Sequence, residues 1–334
     1  MFTKKWIPVA IALLILFSFN LLAISSVAPQ LLGKQLISWT VGLALFFLGR
    51  QFTVTQLAPV KWYIFIFSCI LLFLPLIFGD NTRGSQRWLN LGFISFQPSE
   101  TVKPGLMLYL ASSQALLFQL FHLIPVFIIS LQPDLGSAIS TLFLISPLLL
   151  YYPKLLKIGL ASLLLLTLIS PLAWNKFLRP YQQNRILTFL KPESDPLGQG
   201  YNVIQSKIAI GSGGLFGKGY KKGSQGRLLF LPEKHTDFIF AAITEELGLV
   251  GAGLILFAYF LLLKSLIKKA FSQTNLPQQL FTLGIAIQIW LQAFINIGMN
   301  LGLLPVTGIP LPFVSVGGTS VISLLFSLGI IYSL

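Results

Sequence analysis

Apolar runs near 20 residues recur along the chain, each long enough to cross ~30 Å of hydrocarbon. They predict ten transmembrane helices, at about 6–27, 33–51, 61–79, 97–115, 118–132, 135–152, 156–174, 236–263, 276–300 and 311–332. The expected fold class is all-α: a polytopic membrane protein forming one domain over 1–334, with a large polar loop at about 175–235 between the seventh and eighth spans. The first run follows Lys4 and Lys5 but lacks a small-residue cleavage site, so it reads as a retained span and not as a signal peptide.

Composition agrees: 55% of the 334 residues are hydrophobic and 10% are charged, against roughly 25% charged in an average soluble domain. The one cysteine, Cys69, lies inside an apolar run and cannot form an intrachain disulfide. Lysine and arginine in the short loops set the orientation. With the N-terminus cytoplasmic, Lys4, Lys5, Arg50, Lys61, Lys154, Lys157, Lys264, Lys268 and Lys269 lie inside, against Lys34, Arg83 and Arg87 outside. Both termini are then expected in the cytoplasm and the large loop outside. That loop carries ten of the basic residues, from Lys176 to Lys234. Such a surface suits anionic membrane lipids or an anionic lipid-linked substrate; no nucleic-acid partner is expected.

Acids are scarce, none before Asp80 or after Glu246, and an acid in an apolar segment is a functional candidate by default. In 83–103, Arg83 and Arg87 sit in an outside loop, Pro98 fits a first helical turn, and Glu100 and Lys103 share a helix face. That pair either fixes helix packing or shapes a polar cavity. Asp134, at a span boundary before Leu135-Gly136-Ser137, reads as a helix N-cap or as a substrate contact. Within the loop, Tyr201, Ile204 and Ile208 recur at helical spacing and suggest a short interfacial helix. Glycines 211, 213, 214, 217, 219 and 223 follow, interspersed with Lys218, Lys221 and Lys222. Their composition resembles a phosphate cradle without the P-loop spacing, and fits a flexible basic loop equally well.

The stretch Glu233-Lys234-His235-Thr236-Asp237-Phe238 opens the eighth span. Thr236 suits the N-cap, which puts Asp237 in the first turn at the water–lipid boundary. Desolvation there favours the neutral carboxyl, whereas the helix terminus and Lys234 favour the carboxylate. An ionised, partly desolvated carboxylate is what a general base needs. Glu245 and Glu246 lie about 12 Å further along the helix and suit interhelical pairing. Asn296 to Ser320, which includes Ser315, is broken by Pro305, Pro310, Pro312 and several glycines, so it either packs closely or lines a cavity. The two histidines, His122 and His235, are far apart and offer no metal-ligand spacing. A divalent cation such as Mg²⁺ on phosphate oxygens stays compatible with the sequence.

At these five segments the chain resembles the SEDS family (shape, elongation, division and sporulation). The matching pieces are RWLNLG with QPSE and Lys103, QPDLGSA, LPEKHTDFIF with EELG, and GIPLPFVSVGG, in the family's order. The stretch PESDPLGQGYNVIQSKIAIGSGGLFGKG is similar to the elongation-type, RodA-like branch. The resemblance implies ten spans and a peptidoglycan glycosyltransferase that polymerises lipid II on the outer face of the bacterial cytoplasmic membrane. Its implied partners are a class B penicillin-binding protein transpeptidase and the elongation machinery. It carries the family's essential aspartate onto Asp237, and its glutamate and lysine onto Glu100 and Lys103.

The expected mechanism is inverting transfer with Asp237 as general base and undecaprenyl diphosphate as leaving group. Arg83, Arg87, Glu100, Lys103, Lys218, Lys234, His235 and Ser315 are the expected substrate-binding residues. Two departures from the family pattern are the absence of Lys and Arg in 111–122 and Val316 where an aromatic residue is common. A lipid II flippase, or a scaffold that activates the penicillin-binding protein, is the alternative. A transporter places its polar groups near the bilayer midplane, whereas here they gather at the outer boundary.

Overall fold

The computed structural model describes residues 6–82, 85–90, 95–113, 115–160, 180–195, 198–224 and 233–333. It is mostly helical. Three apolar helices come first: α1 (Ile7–Val27), α2 (Leu32–Gly49) and α3 (Lys61–Phe78). A small antiparallel sheet follows, in the order β1 (Asp80–Thr82), β2 (Ser85–Asn90), β3 (Ser95–Phe96). Then come α4 (Pro98–Thr101), α5 (Lys103–Ser112), α6 (Leu123–Leu131) and α7 (Leu135–Leu142). The loop region contributes α8 (Gln199–Gly213), and the chain closes with α9 (Ile239–Phe271), α10 (Leu276–Asn300) and α11 (Gly318–Ile331).

Five helices among the described residues are long and apolar enough to cross a membrane: Ile7–Val27, Pro29–Gly49, Val54–Phe78, Ile239–Phe271 and Leu276–Asn300. Shorter apolar helices cover Leu117–Leu131, Leu135–Tyr151 and Gly318–Ile331. The fourth expected span, 97–115, is divided at Val102. Pro104 in the first turn of α5 explains the division, since it has no N–H to extend the preceding turn. Most of the seventh expected span, 156–174, lies outside the described residues. The tenth becomes helical only at Gly318, because three prolines and the positive-φ residues Gly302, Gly308 and Phe313 interrupt 301–317. The all-α expectation is corrected at one place: the strands 80–96 form a sheet where an irregular loop was expected, with Asp80 opposite Trp88 and Leu89 opposite Phe96.

Small residues set the closest helix contacts, as is usual where apolar helices pack. A Cβ on Gly42 or Gly49 of α2 would come within 2.6 Å of Leu325 Cδ1 or 2.7 Å of the Phe326 carbonyl on α11. These glycines draw α2 and α11 together, and the N-terminus of α11 follows.

The glycine-rich stretch after α8 proves to be a docked element. Helix α9 is broken at Gly248 (φ 66°, ψ −164°), which interrupts its hydrogen-bond ladder. The stretch fills the break. The Lys218 and Gly219 amides donate to the carbonyls of Glu245 and Glu246 at 2.9 Å, while the Leu249 and Val250 amides donate to Gly214 and Leu215 at 2.9 and 3.1 Å. Side chains finish the joint: Lys218 Nζ reaches Glu245 Oε1 at 2.7 Å, Ser224 donates to the same oxygen, and Ser26 of α1 donates to Glu246. Helix α8 exists as expected but turns a different face inward. Val203, Ser206 and Ala209 are buried, whereas Ile208 is exposed.

This docking makes Gly217 sterically demanding, since its φ is +79° and a Cβ would lie 2.1 Å from the Glu246 carbonyl oxygen. Gly217→Val is expected to cost at least about 2 kcal/mol and to lower the melting temperature of the purified protein in detergent. An unchanged melting curve would contradict the docked geometry.

Candidate active site

The site is built on a turn, Glu233–Phe238, that precedes α9. The amides of Thr236, Asp237 and Phe238 all donate to the Glu233 carbonyl, at 3.1, 3.0 and 3.2 Å. Glu233 itself takes a positive φ of 50°. The tightness of this turn delays the helix to Ile239, so Thr236 is not its N-cap as the sequence suggested. Its hydroxyl instead donates back to Glu233 Oε2 at 3.1 Å.

Three successive carbonyls of this turn face inward, away from any helical partner, and each is captured by another element. The His235 carbonyl accepts from the Val316 amide at 2.9 Å. The Thr236 carbonyl accepts from Ser315 Oγ at 2.6 Å. The Asp237 carbonyl accepts from Asn296 Nδ2 at 3.1 Å and Asn300 Nδ2 at 2.9 Å. Asn300 also accepts from the Ala241 amide in the first turn of α9 at 3.1 Å, and Asn296 donates to the Ile309 carbonyl at 2.8 Å. Buried backbone polar groups must find partners, and here the partners are two asparagines one turn apart on α10. The Asp237 backbone is thereby fixed on both sides, and its side chain faces a cavity.

That cavity has a volume of about 550 Å³. Its walls come from Lys34 on α2, Arg87, Trp88 and Asn90 on β2, Glu233 and Asp237 on the turn, Gly308 and Pro310 on the irregular segment, and Thr319 and Ser320 at the start of α11. A Cβ built on Gly308 would stand 3.7 Å from both terminal nitrogens of Arg87 and 3.7 Å from Asp237 Oδ2. The guanidinium and the carboxylate therefore come together over a residue that has no side chain. Gly308 has a φ of +74°, which disfavours any other residue. Asp134 steadies the arginine, with Oδ1 3.5 Å from Arg87 Nη1. The same oxygen accepts from the Ser137 amide at 3.1 Å, so Asp134 caps α7 as expected and orients Arg87 besides. The sheet that the sequence did not foresee is the element that holds Arg87 over the cavity.

Of the residues singled out in the sequence, Asp237 and Arg87 meet in this cavity. Arg83 lies outside the described residues. Glu100 and Lys103 form a buried ion pair at 2.5 Å. Glu100 also accepts from Gln292 at 3.0 Å, and its carbonyl accepts from Ser323 at 2.8 Å. The pair sits one helical turn behind the cavity wall, since Gln97 and Ser320, each three residues earlier, line it. Ser315 is 2% exposed and its hydroxyl is committed to Thr236 and to the Leu311 amide, so it holds the turn and does not form the wall. Lys218 is committed to Glu245, while Lys234 and His235 sit on the turn without lining the cavity.

Sequence reasoning counted Lys34 for topology alone and gave Asn296 and Asn300 no individual role, although both lie in the segment expected to pack closely or line a cavity. Two asparagines at i, i+4 in the apolar run of α10 were a usable signal, because polar side chains there need partners. Among the described residues no three His, Cys, Asp or Glu side chains converge on a metal position.

Residues 3–334 match the family model FTSW_RODA_SPOVE, described as "Cell cycle protein". The chain is 39% identical to the peptidoglycan glycosyltransferase MrdB of Escherichia coli K12, over 96% of this chain and 91% of that one. It is 34% identical to stage V sporulation protein E of Bacillus subtilis 168, over 89% and 85% respectively. Among solved structures it is similar to a chain from a peptidoglycan synthase complex that coordinates polymerization and crosslinking, with a TM-score of 0.82, 34% identity and coverage of 97% and 96%. It is also similar to the rod shape determining protein RodA of Thermus thermophilus, with a TM-score of 0.70, 29% identity and coverage of 98% and 94%.

Replacing Asn300 by alanine strips a donor from the Asp237 carbonyl and an acceptor from the Ala241 amide. An unpaired buried polar group costs about 1–3 kcal/mol, so amides of 236–241 are expected to exchange hydrogen about tenfold faster or more in Asn300→Ala. Unchanged exchange across this segment would show that the turn does not depend on Asn300.

Proposed function

We propose that this chain, which belongs to the FtsW/RodA/SpoVE family, is a peptidoglycan glycosyltransferase that polymerises lipid II into glycan strands during cell elongation. The observation that carries the mechanism is the carboxylate of Asp237 in the cavity beside the Arg87 guanidinium. Asp237 takes the proton from the 4-hydroxyl of the acceptor sugar. The acceptor oxygen attacks the anomeric carbon of the donor with inversion, and the bond to undecaprenyl diphosphate breaks. The proton ends on Asp237, and the electron pair of the broken bond leaves with the diphosphate. A diphosphate departs readily, so no second carboxylic acid is required of the kind that glycoside hydrolases use. Arg87 sits where it can bind an oxygen of either sugar or the phosphate. The Glu100–Lys103 pair acts from behind the wall and holds α4, α10 and α11 in register.

The topology that supports this reading has ten spans with both termini in the cytoplasm, so that the cavity opens on the outer face. It forms one domain over 1–334. A class B penicillin-binding protein is the proposed transpeptidase partner, a pairing supported by similarity to the synthase complex. Similarity to MrdB and to a rod shape determining protein supports elongation over division. Transport of lipid II is disfavoured because Asp237 lies in the turn before α9 and not at the break of that helix at Gly248.

Loss of a general base costs about 10²–10⁴-fold in rate. Purified Asp237→Asn, reconstituted with a class B partner, is expected to fall by that range in lipid II polymerisation while melting as the wild type does. Full activity in a folded Asp237→Asn protein would remove Asp237 as the base.

A further inference from the structure

Resting on the reading of this cavity as the polymerisation site, we propose that the diphosphate of the lipid-linked donor binds between Lys34 and the N-terminus of α11, with Ser320 as a hydroxyl donor. Three observations converge there. First, Lys34 lines the cavity, and among the described residues no carboxylate pairs with it. Of the other cations near the site or considered for it, Lys103 is committed to Glu100 and Lys218 to Glu245, Arg87 is shared with Asp134, and Lys234 does not line the cavity.

Second, α11 begins at the cavity. Its N-cap, Gly317, supplies no side-chain cap, and Gly317, Thr319 and Ser320 all line the cavity wall. The first amides of a helix have no acceptor within it and mark the positive end of its dipole, an arrangement that favours phosphate oxygens. Third, Ser320 is 3% exposed, lines the cavity and has an Oγ without a hydrogen-bond partner. Buried hydroxyls are normally paired, so a lone one on a cavity wall points to a ligand atom as its partner.

Gly318 brings these groups together. A Cβ there would come 2.5 Å from Ser38 Oγ, one turn beyond Lys34 on α2, so a larger residue would push the helix end away from the lysine. The chemistry then has two poles in one cavity. The acceptor proton moves to Asp237, and the electron pair of the breaking bond moves to the diphosphate oxygen. The growing negative charge is met by the Lys34 ammonium, the helix amides and the Ser320 hydroxyl, which are placed before the reaction begins.

The test uses the purified full chain in detergent, with equilibrium binding of inorganic pyrophosphate and steady-state polymerisation of lipid II with a class B partner. Lys34→Gln is expected to weaken pyrophosphate binding and to raise KM for lipid II by about tenfold each, the scale of one charge-assisted hydrogen bond. Lys34→Arg is expected to restore most of both. Ser320→Ala is expected to weaken pyrophosphate binding by a smaller factor, with an unchanged melting temperature. Wild-type binding and KM in Lys34→Gln would overturn the proposal. Weakened pyrophosphate binding with an unchanged KM would mean a free-phosphate site, and would overturn the assignment to the donor. Asp237→Asn is expected to bind pyrophosphate as the wild type does while losing polymerisation. If it polymerises normally, the general-base reading fails, and the binding data still decide the diphosphate site.

Discussion

Backbone carbonyls without a helix to satisfy them are the constraint on which the site depends. Two irregular segments, 233–238 and 301–317, meet against the helices, half-buried along 233–237 and buried along 311–315, and the carbonyls they leave outside any helical ladder must find other partners. The bundle answers with side-chain donors. Asn296 and Asn300 serve the Asp237 carbonyl, and Ser315 serves Thr236. Asn20 of α1 serves Val314 at 2.7 Å, and Tyr259 of α9 serves Pro312 at 2.5 Å. The two segments also bond to each other through Val316 and His235. Apart from Ser315, which lies on the second segment itself, these donors come from three helices, so the arrangement of α1, α9 and α10 fixes where Asp237 and Gly308 stand.

The glycine-rich stretch extends the same economy of hydrogen bonds to the far side of α9. A break at Gly248 frees carbonyls and amides, and the loop supplies their partners from its own backbone. Only residues without a Cβ allow that approach at Gly213, Gly217 and Gly248, where an added Cβ would come within 2.4 Å of backbone atoms. The loop is therefore anchored to the helix that carries the Asp237 turn. Its lysine, Lys218, neutralises a buried glutamate, and the cavity draws its cations from α2 and β2 instead.

Much of this was legible in the sequence, and the rest was hidden for physical reasons. Hydrophobic run length located the long helices α1, α3, α9 and α10, because crossing hydrocarbon demands length and little else. Scarcity of acids singled out Asp237, and the outside loop supplied Arg87. The hairpin that positions Arg87 was not visible, because a strand of six residues between two glycines leaves little periodicity. Composition misled on Lys218, since glycine with lysine has the same signature whether it cradles phosphate or packs against a broken helix. Lys34 was counted for topology alone; its place in the cavity follows from the Gly42 and Gly49 contacts between α2 and α11, nearly 300 residues apart in the chain. Asn296 and Asn300 act through a backbone carbonyl some 60 residues away, a relation that no local pattern encodes.

The role proposed for Asp237 depends on its backbone being held from α10. The most direct measurement is the steady-state rate of lipid II polymerisation by a chain carrying Asn296→Ala and Asn300→Ala together, reconstituted with a class B partner. Misplacing a reacting group by about 1 Å costs on the order of a hundredfold in rate. A large fall in kcat is therefore expected, with KM for lipid II little changed, in a protein that still elutes as a folded species. A double variant with the wild-type kcat would contradict it.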